Sequence, residues 1–166
     1  MGQPGGRRAG RILPLCYLSG AGVPHRPGAE PDAENQRIFG VVLDTSGSMD
    51  RQLLAAALGS IASYSLARDV RHVRVVFCDA EPYDKGVMCP DYIAGAVQVR
   101  GRGGTMLQPG IDLLKHDPAF PKDAPLLIIT DGACDRLRLY GREHAYLLPW
   151  GKRLPFPPRG PVFKLR

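Results

Sequence analysis

The chain has 166 residues, 44 % of them hydrophobic and 23 % charged, and a formal net charge of +6 at pH 7. That length suits one domain burying roughly 70 % of its unfolded surface, and the composition excludes disordered and fibrous classes. No stretch approaches the ~18 to 20 apolar residues of a membrane span, and Pro14 interrupts Ile12 to Leu18, so no leader-length apolar run follows the N-terminal arginines.

In chain order, residues 1–36 are glycine-rich, carry Pro4, Pro14, Pro24 and Pro27 among the first 28 positions, and lack periodicity. They are expected to form an irregular arm, or the remnant of an upstream segment, ahead of a domain spanning 37–166. Ile38 to Leu43 is apolar throughout, as befits a strand buried on both faces. Leu53, Leu54, Ala57, Leu58, Ile61, Ala62 and Ser65 recur at helical spacing, which predicts an amphipathic helix over Arg51 to Ala67. Val73 to Cys78 is a second β-branched strand, closed by Asp79. Pro82, Gly86 and Pro90 predict a loop, Tyr92 to Ala96 a helical turn, and Val97 to Arg100 a short strand. Gly101 to Gly104 is a turn, and Leu107 to Lys115 a helix that tolerates Pro109 in its first turn. Leu126 to Thr130 is a third strong strand and His144 to Leu148 a weaker one. Pro155, Pro157 and Pro158 then interrupt regularity until Val162 to Leu165. Strands alternating with helices predict an α/β, Rossmann-like three-layer sandwich whose mainly parallel sheet carries helices on both faces.

The first strand ends in Asp44-Thr-Ser46-Gly-Ser48. This D-x-S-x-S spacing at a strand end aims one carboxylate and two hydroxyls at a single small volume. Thr105 after its glycine loop, and Asp131 at the end of Leu126 to Thr130, can complete a set of oxygen donors. Oxygen donors suit a hard cation such as Mg²⁺ or Mn²⁺ rather than zinc. In parallel sheets ligands sit beyond the carboxyl ends of the strands, which again brings Asp44 and Asp131 together. Cys16, Cys78, Cys89 and Cys134 form no C-x-x-C pair, so they are expected to be reduced thiols in a cytoplasmic protein rather than zinc ligands.

Asp44-Thr-Ser46-Gly-Ser48, Gly103-Gly104-Thr105 and Thr130-Asp131-Gly132 together resemble the metal-ion-dependent adhesion site (MIDAS) of von Willebrand factor A (VWA) domains. Phe77-Cys-Asp79-Ala, Gly101-Arg-Gly-Gly-Thr105 and Leu154-Pro-Phe156 are similar to the bacterial VWA-like domains at the C-terminus of proteins described as metallopeptidases. The resemblance covers residues 37–166. It implies that Ser46 and Ser48 ligate the metal through neutral hydroxyls. Thr105 would ligate directly or through water, and Asp44 and Asp131 would act through bound waters or hydrogen bonds. Gly104 and Asp79 would be peripheral. A partner's Asp or Glu carboxylate would complete the coordination, making this a protein-binding module rather than an enzyme. Bacterial VWA proteins of this type also resemble partners of MoxR-type AAA+ ATPases.

Each segment has a plainer reading as well. Thr-Ser-Gly-Ser can be a turn that caps the next helix, with Ser48 or Asp50 as the cap. Asp131-Gly132 is a common turn dipeptide, and Asp79 can simply cap its loop. The rival chemistry is a phosphatase of haloacid-dehalogenase type using Asp44 with Asp131 and Asp135. There the second position after the nucleophile is an acid, but here it is Ser46, whose hydroxyl is no proton donor at neutral pH. A metallopeptidase would need H-E-x-x-H, and His25, His72, His116 and His144 stand singly. Lys152, Arg153, Arg159, Lys164 and Arg166 form a C-terminal strip with no acidic residue. No nucleic-acid motif accompanies it, so it reads as a solvated surface or a docking strip for an acidic protein.

Overall fold

The structure, a computed structural model, describes residues 38–67, 69–96 and 104–166. The arm expected over 1–36 and the strand expected over Val97 to Arg100 lie outside them. Along the chain run β1 (Ile38–Asp44), α1 (Arg51–Ala67), β2 (His72–Cys78), β3 (Pro82–Met88), α2 (Pro90–Ala96), α3 (Gln108–His116), β4 (Leu126–Ile129), β5 (His144–Pro149) and β6 (Val162–Leu165). The strands form one six-stranded sheet in the order β3-β2-β1-β4-β5-β6. Only β3 is antiparallel to its neighbour, so the sheet is mixed.

Alternation along the strands divides the apolar side chains between two cores. Phe39, Val41 and Leu43 of β1 join Val73, Val75 and Phe77 of β2, together with Leu54, Ala57, Leu58 and Ile61 of α1 and Ile93 of α2. Val42, Val76, Ile128, Tyr146 and Leu148 join Leu107 and, from α3, Ile111 and Leu114. Burying one such Val, Leu or Ile contributes on the order of 1.5 to 3 kcal/mol. A few of them outweigh the roughly 1 to 3 kcal/mol attached to an imperfectly satisfied polar group. The sheet can therefore carry polar side chains buried at its rim.

Gly110 sets how closely α3 approaches β2. A Cβ there would lie 2.4 Å from Cys78 Sγ and 3.3 Å from Val76 Cγ1. Arg74 ties the β3 side together. Its buried guanidinium bonds both carboxylate oxygens of Asp84 and, from Nε, Asp117 Oδ2 at 2.9 Å.

Two expectations are corrected. The loop predicted around Pro82 and Gly86 is strand β3. Proline is tolerated as the first residue of an edge strand, and Gly86, at φ 73°, sits where the pairing shifts register between Val75 and Val76. Cys78 and Cys134 are free thiols, but Cys89 is disulfide-bonded, a pairing that spacing does not disclose. Among the described residues no helix is long and apolar enough to cross a membrane.

Candidate metal centre

From β1 the chain builds outward through β2 to β3, then returns to β4 on the other flank of β1. The order reverses between β1 and β4, and such a switch point opens a crevice at the strands' carboxyl ends. Asp44 closes β1 and Thr130-Asp131 follow β4 directly. The topology thus sets the two acidic residues at neighbouring strand ends on one edge of the sheet.

Asp44 is wholly buried, and both of its carboxylate oxygens accept hydrogen bonds. Ser46 N–H donates to Oδ1 at 3.0 Å, and Thr130 Oγ1 donates to Oδ2 at 2.8 Å. The Thr130 hydroxyl in turn accepts from Gly132 N–H at 3.1 Å. Thr45 donates from both N–H and Oγ1 to the Cys78 carbonyl, which carries the β1–β2 pairing one residue further and fixes the exit of the loop. Ser46 is buried, Ser48 is exposed, and their hydroxyl oxygens stand 3.1 Å apart.

The capping alternative resolves in favour of Asp50. Its Oδ1 accepts from Gln52 N–H at 2.9 Å and its carbonyl from Leu54 N–H at 2.9 Å, satisfying the start of α1. The Ser46 and Ser48 hydroxyls meet each other and take no part in that cap.

At the neighbouring strand end, Asp131 Oδ1 accepts from Ala133 N–H at 2.9 Å. Gly132 is no ordinary turn residue. Its φ is 89°, and a Cβ would stand 2.3 Å from the Arg153 carbonyl oxygen. Any side chain would push the Asp131 loop away from the segment after β5.

Thr105 reaches this rim through the backbone. Met106 N–H donates to the Asp79 carbonyl at 2.8 Å, which docks the Thr105 segment beside the end of β2. Asp79 Oδ1 accepts from Glu81 N–H at 3.0 Å, so its carboxylate caps its own turn and its carbonyl holds the neighbouring loop. At Gly104 a Cβ would meet nothing within 4 Å, so packing imposes no glycine there. Direct hydrogen bonds therefore join Asp44, Ser46, Ser48 and Thr130, while Asp131 and Thr105 are placed by their own loops. Asp135 is exposed beyond Asp131.

The electrostatics are those of an anion short of compensation. Burial holds the Asp44 carboxyl above its ordinary range, against the lowering effect of the Ser46 and Thr130 hydrogen bonds, and the nearby Asp131 raises it further. Burial also pushes the thiol of Cys78 up to about 12 and that of Cys134 to about 11, with the Asp44 charge adding to both. These thiols stay protonated and inert at neutral pH.

Among the described residues no three His, Cys, Asp or Glu side chains are grouped as metal ligands. A cation here would rest on hydroxyls, water and the two carboxylates. That neutral-rich oxygen set fits Mg²⁺ or Mn²⁺, and a cation would relieve the buried Asp44 charge. The support from Thr130 and the nearness of Cys78 and Cys134 were not foreseen. The segment Thr130-Asp131-Gly132 includes Thr130 without indicating its bond to Asp44; only pairing across 86 residues brings the two together.

Residues 39–135 match the VWA-like domain family, DUF2201. No functionally curated protein matches the chain. Among solved structures, the chain is similar to an aerotolerance-related membrane protein from Bacteroides fragilis NCTC 9343, crystallised with multiple mutations to serines. The TM-score is 0.54 and the identity 19 %, over 72 % of each chain. At that identity the likeness is one of fold.

Proposed function

The chain belongs to the VWA-like domain family, whose match spans more than half its length, and from that premise we propose a protein-binding module that depends on a divalent cation. The observation that carries this reading is the Asp44 carboxylate. It is fully buried at the switch point, held by Ser46 and Thr130, and reached by no salt bridge among the described residues. A charge buried without a counter-ion is costly, and a bound Mg²⁺ or Mn²⁺ removes the cost.

In this adhesion-type site Ser46 and Ser48 would hold the cation through their hydroxyls, with Thr105 directly or through water. Asp44 and Asp131 would orient the hydroxyls and waters. When bound, the cation offers a position to an Asp or Glu carboxylate of the partner, a charge-assisted contact. Ser48, exposed at the mouth, marks the side from which that carboxylate arrives. A MoxR-type AAA+ ATPase is the proposed partner by family resemblance, in the cytoplasm.

The phosphatase reading asks Asp44 to be an exposed nucleophile. Its complete burial and two accepted hydrogen bonds speak against that role. Turnover of a generic phosphomonoester by the unmutated protein would restore it.

Calorimetric titration of Mg²⁺ and Mn²⁺ into chelator-treated protein tests the proposal. One site, lost in Asp44→Ala while the variant stays folded, is the expected result. Equal binding by the variant would remove Asp44 from the site.

A further inference from the structure

The carboxyl-end rim of the sheet continues past the candidate metal centre onto a wholly basic edge. Leu43 pairs with Ile129, Ile129 with Leu147, and Leu147 with Phe163. Asp44 and Lys164, each one residue further along parallel strands, therefore stand in the same row. Neighbouring strands are about 4.8 Å apart, so β6 lies roughly 14 Å from β1 along the rim.

Between them runs the segment that leaves β5, whose Arg153 carbonyl abuts Gly132 beside Asp131. Lys152, Arg153, Lys164 and Arg166 are all exposed on this stretch, and from His144 to Arg166 the chain has no acidic residue. The strip is also structured. Trp150 N–H donates to the Leu165 carbonyl at 2.7 Å, Lys164 Nζ bonds the Lys152 carbonyl, and the Arg166 guanidinium lies 4.8 Å from the centre of the Trp150 ring. Among the described residues β6 is the terminal strand of the sheet, and one side of its backbone has no strand partner there.

We infer that this strip is the second half of the binding site and selects an extended, multiply acidic segment of a partner protein. The inference rests on the metal-dependent reading above for its first contact. An extended chain advances about 3.3 Å per residue and turns alternate side chains to one face. A carboxylate at the metal centre therefore places the acid two residues on near Arg153 and Lys152. The acid four residues on falls near Lys164 and Arg166. The partner motif is acid-x-acid-x-acid. Nucleic acid fits less well, because these few cations fall short of the ~6 to 10 phosphate contacts of a typical DNA binder.

The test uses the full chain in Mg²⁺ and a fluorescent peptide carrying one aspartate, with glutamates two and four residues later. A control peptide has glutamine in place of both glutamates. Trp150, the single tryptophan and 65 % exposed, gives a second signal at the strip. Lys152→Glu/Arg153→Glu should weaken the acidic peptide about tenfold, the scale of two exposed ion pairs, and leave Mg²⁺ titration unchanged. Binding that needs the strip but not Mg²⁺ would sink the metal reading and leave the strip standing. Equal binding of the acidic and glutamine peptides by the unmutated protein would overturn the strip. So would tighter binding of an oligothymidylate than of the acidic peptide.

Discussion

Ser48 and Asp50 lie two residues apart in one turn and do different work. Asp50 satisfies the start of α1, whereas among the described residues the Ser48 hydroxyl bonds that of Ser46. Asp50→Ala should lower stability by about 1 kcal/mol, as the loss of a helix cap does, with Mg²⁺ affinity kept. Ser48→Ala should leave thermal melting of the metal-free protein nearly unchanged and weaken Mg²⁺. Chemical denaturation with parallel calorimetry separates the two, and a Ser48→Ala variant that melts lower yet binds metal normally would return that serine to a structural role. At this scale the sequence was informative about donor type and spacing. It was ambiguous about which polar residue caps the helix, since several good caps stood in a row and backbone geometry chose among them.

Among the elements, α1 matches its expected span because its apolar spacing is helical over seventeen residues. β3 escaped because its cues, Pro82 and Gly86, also belong to loops, and its exposed face gives little apolar alternation. Contact between elements is narrower still. α3 lies against β2 only because residue 110 has no side chain, so Gly110→Ala should cost about 1 to 3 kcal/mol through overpacking against Cys78. Removing the sulfur with Cys78→Ala in the same protein should recover part of that loss. Denaturation midpoints of the two single variants and the pair measure the coupling, and strictly additive losses would mean that α3 yields elsewhere.

For the whole molecule, two carboxylates pull stability in opposite directions with pH. Asp84 is held below the ordinary carboxylate range by its hydrogen bonds to Arg74, so its contribution is present above that range and fades as pH falls through the lowered value. Its half exposure keeps that contribution small. Asp44 is held above the range by burial, so the metal-free protein should lose stability as pH rises from about 4 toward neutrality. Asp44→Asn should flatten this limb, with its melting advantage in chelator greatest at neutral pH and shrinking on acidification. Added Mg²⁺ should raise the melting temperature of the unmutated protein and leave that of the variant unmoved. A melting difference independent of pH would show that Asp44 is not an uncompensated charge.

The sequence by itself determined the α/β class, the strands that end in Asp44 and shortly before Asp131, and the oxygen-bearing side chains that follow the first of them, because hydrophobic period and side-chain type are local properties. Tertiary structure decided what depends on pairing between distant segments. The strand order β3-β2-β1-β4-β5-β6 sets Asp44 at the strand end beside Asp131, brings Thr130 to the Asp44 carboxylate, and ranges Lys164 along the same row. A linear chain cannot announce such neighbours, since register and strand order come from the packing of both faces at once.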